Sequence, residues 1–325
     1  MHRARMVPQV KEGHPRLWSG QVFRGVLLAV LLFLAGSMPA AAADKISVAA
    51  SILPLGDFCQ KIGGDLVQVE VLIPPGASPH VFEPSPSVVA KAFKALVFVY
   101  IGAGLEPWAA RFLASRGTRD LAVVEAARGI PLIREVEEHH PGEETREEEP
   151  EGHSHEAGNP HIWLDPVLAQ DICRRIAAAL IQADPSHRGQ YEANLKNYLA
   201  ALAELDRDIR QRSAAWRIRG FVSLHPAYTY FAHRYNLREV GVMELAPGRE
   251  PTPRHLQKIV RSIKGSGLRV VFTEPQLSPR VAEAVAREAG VKVLTLDPVG
   301  GRPPYGDDYL KLMRYNLAVM EEAMK

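Results

Sequence analysis

Short apolar runs rich in β-branched residues alternate along this chain with stretches whose apolar positions recur every three or four residues. Residues 45–51, 67–73, 95–101 and 121–125 read as strands. Amphipathic stretches at 53–62, 87–93 and 107–115 read as the helices between them. A second series follows, with strands predicted at 221–224, 240–244, 270–274 and 291–296 and helices at 228–235, 252–263, 279–289 and 307–324. Strands that each hand over to a helix build parallel sheets, because a parallel partner needs a crossover connection. The expected fold is α/β: two (β/α) lobes with mostly parallel sheets.

The longest helical pattern lies between the two series. Asp184 suits an N-cap and Pro185 a first helical turn, where its missing N–H costs little. Tyr191, Leu195, Tyr198, Leu202, Leu205 and Ile209 then follow in steps of four and three, a single helical stripe. A helix from Asp184 to Ala214 spans about 45 Å at about 1.5 Å per residue, enough to run across both lobes. The domain plan is therefore an N-terminal lobe (44–183), a rigid connecting helix (184–216) and a C-terminal lobe (217–325). Such a connector restricts hinging, unlike a Gly/Ser linker.

Residues 1–43 break this pattern. Arg3, Arg5, Lys11, Arg16 and Arg24 precede an apolar run at 25–35 and then small residues through Ala43. That order reads as a cleaved secretory signal peptide, and the run is too short to span a bilayer comfortably. No cysteine follows it to carry a lipid. The mature chain is expected in a periplasm, not membrane-spanning, and monomeric. Residues 135–156 break the pattern differently: ten Glu and four His (His139, His140, His153, His155) with no apolar periodicity read as a solvated loop within the first lobe.

Composition narrows the function classes. At 325 residues two domains are the default, and 46% hydrophobic with 23% charged residues is ordinary for a globular chain. A net charge of +2, with no basic stripe interleaved with aromatics, gives no case for nucleic acid. Cys59 and Cys173 fall in separate helices and lack metal-ligand spacing; whether they pair is open.

Candidate chemistry lies at the strand ends. His225 ends the strand at 221–224 and Asp297 the strand at 291–296. His80 lies in the Gly/Pro-rich loop leaving strand 67–73, and His161 follows the segment after strand 121–125. Ligands of open α/β sheets bind outside the carboxyl ends of the strands. Two residues come from each lobe, so a cleft between facing sheet edges would gather three imidazoles and a carboxylate, a set that suits tetrahedral zinc. Pro79 and Pro160 stiffen the backbone before His80 and His161. Glu274 ends a neighbouring strand, and reads either as a salt-bridge partner or cap, or as a general base beside a metal-bound water.

The segments Gly76-Ala-Ser-Pro-His80-Val-Phe-Glu83-Pro, Asn159-Pro-His161-Ile-Trp-Leu-Asp165-Pro, His225-Pro-Ala-Tyr228-Thr-Tyr-Phe231 and Thr295-Leu-Asp297-Pro resemble, in order, the signature segments of the metal-binding subunits of ABC importers, the ZnuA/TroA type. The resemblance covers essentially the whole mature chain. It implies that His80, His161, His225 and Asp297 are the metal ligands, and that two lobes joined by a long backbone helix pass the metal to an ABC permease in the inner membrane. Manganese-type relatives tend to carry a carboxylate at the position of His225, and imidazole there favours zinc over harder ions. An acidic, His-containing loop before the second ligand is also a trait of zinc-type members; His139, His140, His153 and His155 are candidates for weak accessory metal binding. The leading expectation is a non-enzymatic Zn²⁺-binding transport subunit. The alternatives are a manganese or iron carrier and a secreted zinc hydrolase with Glu274 as base. The chain lacks His-Glu-x-x-His, Gly-x-Ser-x-Gly and a phosphate-cradling loop with Lys.

Overall fold

The first four strands, β1 (Ile46–Ala50), β2 (Val67–Val71), β3 (Val97–Tyr100) and β4 (Ala122–Glu125), form one parallel sheet in the order β2-β1-β3-β4. In this computed structural model the described residues are 45–117, 119–134, 158–245 and 250–325, together with Gln9. The signal peptide expected at 1–43 and the Glu/His segment expected at 135–156 therefore lie outside them, Gln9 aside. Val48, Ala50, Val97, Phe98 and Val99 on the two central strands are fully buried. This is the continuous apolar run of a sheet covered on both faces. Its helices are α1 (Leu53–Gly63), α2 (Pro86–Ala92) and α3 (Ala109–Arg116).

Two long helices follow. In α4 (Pro166–Ala183) the Asp165 carboxylate accepts from Val167 N at 2.8 Å and Pro166 occupies the first turn, a well-specified helix start. The connecting helix α5 (Arg188–Ala214) runs 27 residues, about 40 Å, and packs against α1, α4 and α9 (Tyr309–Met324). Tyr191, Tyr198, Leu202, Leu205 and Ile209 are its buried stripe, as periodicity predicts, with Leu195 half-buried. It starts four residues later than expected. The Asp184 carboxylate takes Ser186 Oγ, His187 Nδ1 (2.5 Å) and Tyr191 Oη (3.0 Å) instead of capping a backbone amide, and Pro185–His187 forms a 3₁₀ turn.

The second series folds as two parallel ladders, β5 (Gly220–Ser223) with β6 (Arg238–Val242), and β7 (Val270–Thr273) with β8 (Lys292–Thr295). β5 packs beside β7. Their helices are α6 (Thr229–Arg234), α7 (Pro253–Ser266) and α8 (Arg280–Ala289), and α9 closes the chain. Residues 45–325 are a single compact unit. One continuous buried cluster runs from Phe58 and Phe98 through Trp163, Ile176 and Leu202 to Phe231, Phe272 and Met313. A smaller one, including Val222, Val271, Ile259, Ile263 and Val285, lies under α7 and α8. Cys59 and Cys173 are buried free thiols.

Where α1, α5 and α9 meet, Asp57 accepts from Tyr198 Oη at 3.0 Å and Tyr309 N at 3.3 Å, with Lys61 Nζ 3.8 Å away. Burial raises its carboxyl pKa to about 6, against the lowering pull of Lys61, Tyr198 and Tyr309 N. A carboxyl whose pKa is raised in the fold is costlier to ionise there than in the unfolded chain. Its stability contribution is therefore present below about 3.8, the ordinary value, and lost as pH rises through about 6. Asp57→Asn is expected to match the wild type near pH 4 and to become more stable by about 1–3 kcal/mol at pH 7, at about 1.4 kcal/mol per pKa unit. Urea unfolding of both proteins across that range checks it; parallel profiles would contradict it.

Candidate metal centre

Three of the four residues singled out by position come together. His80 sits in the loop between β2 and α2, His161 just before the 3₁₀ turn (Ile162–Leu164) that leads into α4, and His225 just past β5. His161 Nε2 lies 3.1 Å from His80 Nε2 and 3.1 Å from His225 Nε2. Ring centroids are 4.9–5.4 Å apart, and the three ligand atoms lie within 4.8 Å of one another. His161 and His225 are buried and His80 half-buried.

The tautomers follow from the partners. His161 Nδ1 faces Asn159 Oδ1 at 2.9 Å and His225 Nδ1 faces Glu274 Oε1 at 2.6 Å. Both partners are acceptors, so each Nδ1 carries the proton and each Nε2 keeps its lone pair. Lone pairs aimed at one another across 3.1 Å repel unless a cation shares them. Two nitrogens of a tetrahedral zinc site with bonds of about 2.05 Å would lie about 3.3 Å apart. The donor set fits a small divalent ion.

The backbone holds the ligands unequally. Around His161, Asn159 Nδ2 donates to Pro226 O (2.7 Å), Tyr230 Oη to Asn159 O (2.7 Å), Trp163 Nε1 to Pro298 O (2.7 Å) and Tyr309 Oη to Trp163 O (2.6 Å). Arg234 pairs with the Asp165 carboxylate at 2.7 Å. The segment carrying His80 has short-range turns, Ala77 N to Pro74 O and Val81 N to Ser78 O, and an exposed Arg111–Glu83 pair. Its base abuts the loop after β8 at Gly301, where φ is 88° and a Cβ would lie 2.6 Å from Pro75. Any substitution there is strained and crowded.

Asp297 is not part of the cluster. It is fully buried, and its carboxylate accepts from Gln276 Nε2, Val299 N, Gly300 N and Tyr305 Oη at 2.6–2.9 Å. Glu274 is the carboxylate that lines the cavity with the triad; Oε1 takes His225 Nδ1, and Oε2 is buried without a hydrogen-bond partner among the described residues. His233 is exposed. Asn159, two residues before His161, is a functional residue that the sequence signals only by a side-chain amide so close to a histidine; its Oδ1 takes both His161 N and Nδ1 at 2.9 Å. His139, His140, His153 and His155 lie outside the described residues.

Fold and site define a metal-binding protein of parallel α/β architecture built around a long helix. Residues 48–323 match the family model ZnuA, "Zinc-uptake complex component A periplasmic", and the chain belongs to that family. Its members are zinc-binding periplasmic components of uptake complexes and not enzymes, which sets the hydrolase alternative aside. The chain is 32% identical over 285 residues to the "High-affinity zinc uptake system protein ZnuA" of Bacillus subtilis (strain 168), covering 86% of this chain and 88% of that protein. It is 30% identical over 288 residues to the "Zinc-binding protein AdcA" of Streptococcus pyogenes serotype M3 (strain ATCC BAA-595 / MGAS315), spanning 56% of that longer protein. A solved structure described as "Crystal structure of ZnuA" superposes with a TM-score of 0.74 at 32% identity, over 86% of this chain and 99% of that one.

Burial pulls the His225 pKa down, but Glu274, by its charge and hydrogen bond, together with Glu239 and Glu244, outweighs it, so the net shift is upward. The proton on His225 is thus retained to higher pH in the metal-free protein than on an ordinary imidazole, and is lost as pH rises through that raised value. Metal affinity is expected to fall with acidification from above the usual histidine range near 6.5. Glu274→Gln removes the charge and should move that fall to lower pH. Competition titrations from pH 5.5 to 8 test this; an unchanged profile in the variant would contradict it.

Proposed function

We propose that His80, His161 and His225 hold one Zn²⁺ through their Nε2 atoms and that the chain captures the ion outside the cytoplasm for an ABC-type permease in the inner membrane. The convergence of three Nε2 atoms, two with Nδ1 held by acceptors, carries this reading. Imidazole suits zinc better than the harder manganese ion. An oxygen completes a tetrahedral set; Glu274 stays on the far side of the His225 ring, where its Oε1 takes Nδ1 and orients Nε2 toward the ion. In this reading residues 1–43 are removed on export and the mature protein is a monomer. Its lobes are 44–183 and 217–325, with 184–216 as the rigid connection and the ion in the cleft between them. The ten Glu and four His of 135–156 collect further zinc weakly.

Replacing any one of the three histidines by Ala is expected to weaken zinc binding more than a hundredfold, beyond the tenfold to hundredfold typical of groups that merely orient a ligand. The variants should still fold. Deleting 135–156 should remove only weak, additional zinc. Metal analysis and competition titration of the purified proteins test both; loss of the tight site on deletion, or a His233→Ala variant as damaged as His225→Ala, would overturn the assignment.

A further inference from the structure

The turn that presents His225 is gripped on both flanks by one carboxylate, that of Glu239 on β6. Ser223 Oγ, two residues before His225, donates to Glu239 Oε1. Thr229 Oγ1, four residues after it, donates to Glu239 Oε2 at 3.2 Å and lies 3.0 Å from Pro226 O. Ser223 is buried, and Thr229 and Glu239 are half-buried. Between the two hydroxyls the chain leaves the sheet, bends at Leu224 and His225 and enters the 3₁₀ turn Pro226–Tyr228. β6 is irregular at the same level: Phe221 pairs with Glu239 but Val222 with Gly241, so Val240 is an extra residue. Bulges of this kind re-aim a side chain and are frequent beside functional sites.

The grip reaches a second ligand. Asn159 Nδ2 donates to Pro226 O (2.7 Å) and to Thr229 Oγ1 (3.2 Å), while its Oδ1 takes His161 N and Nδ1, both at 2.9 Å. His161 N can only donate and Pro226 O can only accept, so the amide sits one way round. A run of hydrogen bonds therefore leads from Ser223 through Glu239, Thr229 and Asn159 to His161, passing both sides of the His225 turn. We propose that Glu239 is a positioning residue of the metal site, an inference that rests on the zinc-triad reading: by holding Ser223 and Thr229 it fixes the His225 turn against Asn159 and so sets the separation of His225 Nε2 from His161 Nε2. A binding constellation must be held within about 0.5 Å to work, and a bend outside the sheet has no ladder to hold it. An ionised carboxylate accepts from both hydroxyls at once. A glutamine keeps both contacts, because a hydroxyl can turn to accept from its NH₂, whereas an alanine keeps neither.

The test measures Zn²⁺ dissociation constants by chelator competition, and the visible spectrum of the Co²⁺-loaded protein, on the full chain and three variants. These are Glu239→Ala, Glu239→Gln and the double variant Ser223→Ala with Thr229→Val, each shown to be folded by its thermal transition without metal. Glu239→Ala and the double variant should weaken zinc binding at least about tenfold, the scale of groups that orient a ligand. Both should also alter the Co²⁺ ligand-field bands, which report donor geometry, and Glu239→Gln should restore affinity and bands together. Zinc binding within about twofold of wild type in both Glu239→Ala and the double variant overturns the proposal. So does weakened binding with unchanged bands, which is what a purely structural role would produce. Glu239→Gln as damaged as Glu239→Ala overturns it too, since the charge and not the two contacts would then matter. If wild type binds neither metal, or if His161→Ala leaves binding intact, the triad reading itself fails and this proposal falls with it.

Discussion

Three imidazole nitrogens within about 3 Å of their neighbours can bind a metal only if each presents a lone pair, and the surrounding structure is organised to hold that arrangement. Each Nε2 must keep its lone pair, so the proton has to be fixed on the far side of the ring; Asn159 does this for His161 and Glu274 for His225. The rings must also resist drifting apart. Each comes from a different loop, so the constraint falls on how those loops are fastened.

The fastening is uneven. The segment around His161 is tied through Asn159, Trp163 and Asp165 to residues of the C-terminal half of the chain, and the continuous buried cluster passes directly beneath it. His161 and His225 are thus tied to one another through the Asn159–Pro226 bond as well as across 3.1 Å between their Nε2 atoms. The His80 segment has fewer anchors and is half-buried at the ligand itself.

Most of this architecture was legible in the sequence because parallel sheets and long helices leave local patterns. Apolar runs placed all eight strands among the described residues within a residue or two, and the stripe from Tyr191 to Ile209 marked α5. The three histidines stood out because each follows a strand or sits in a stiffened loop. Other features depend on contacts between distant residues and leave no such pattern. α4 was not delineated, although Ala169, Ile172, Cys173, Ile176, Ala177 and Leu180 on its buried face fall at helical spacing. Asp184 looked like an N-cap, but neighbouring side chains engage its carboxylate. Asp297 stands at a strand end, as expected, but the donors its carboxylate meets come from residues 276, 299, 300 and 305, three of them in a turn that only the folded loop creates.

Zinc K-edge X-ray absorption of the zinc-loaded protein reads the donors around the ion directly. The expected spectrum shows a four-coordinate shell of nitrogen and oxygen at about 2.0 Å, with outer-shell scattering from three imidazoles. A shell containing sulfur, or a six-coordinate oxygen-rich shell with fewer than two imidazoles, would contradict the triad and every reading built on it.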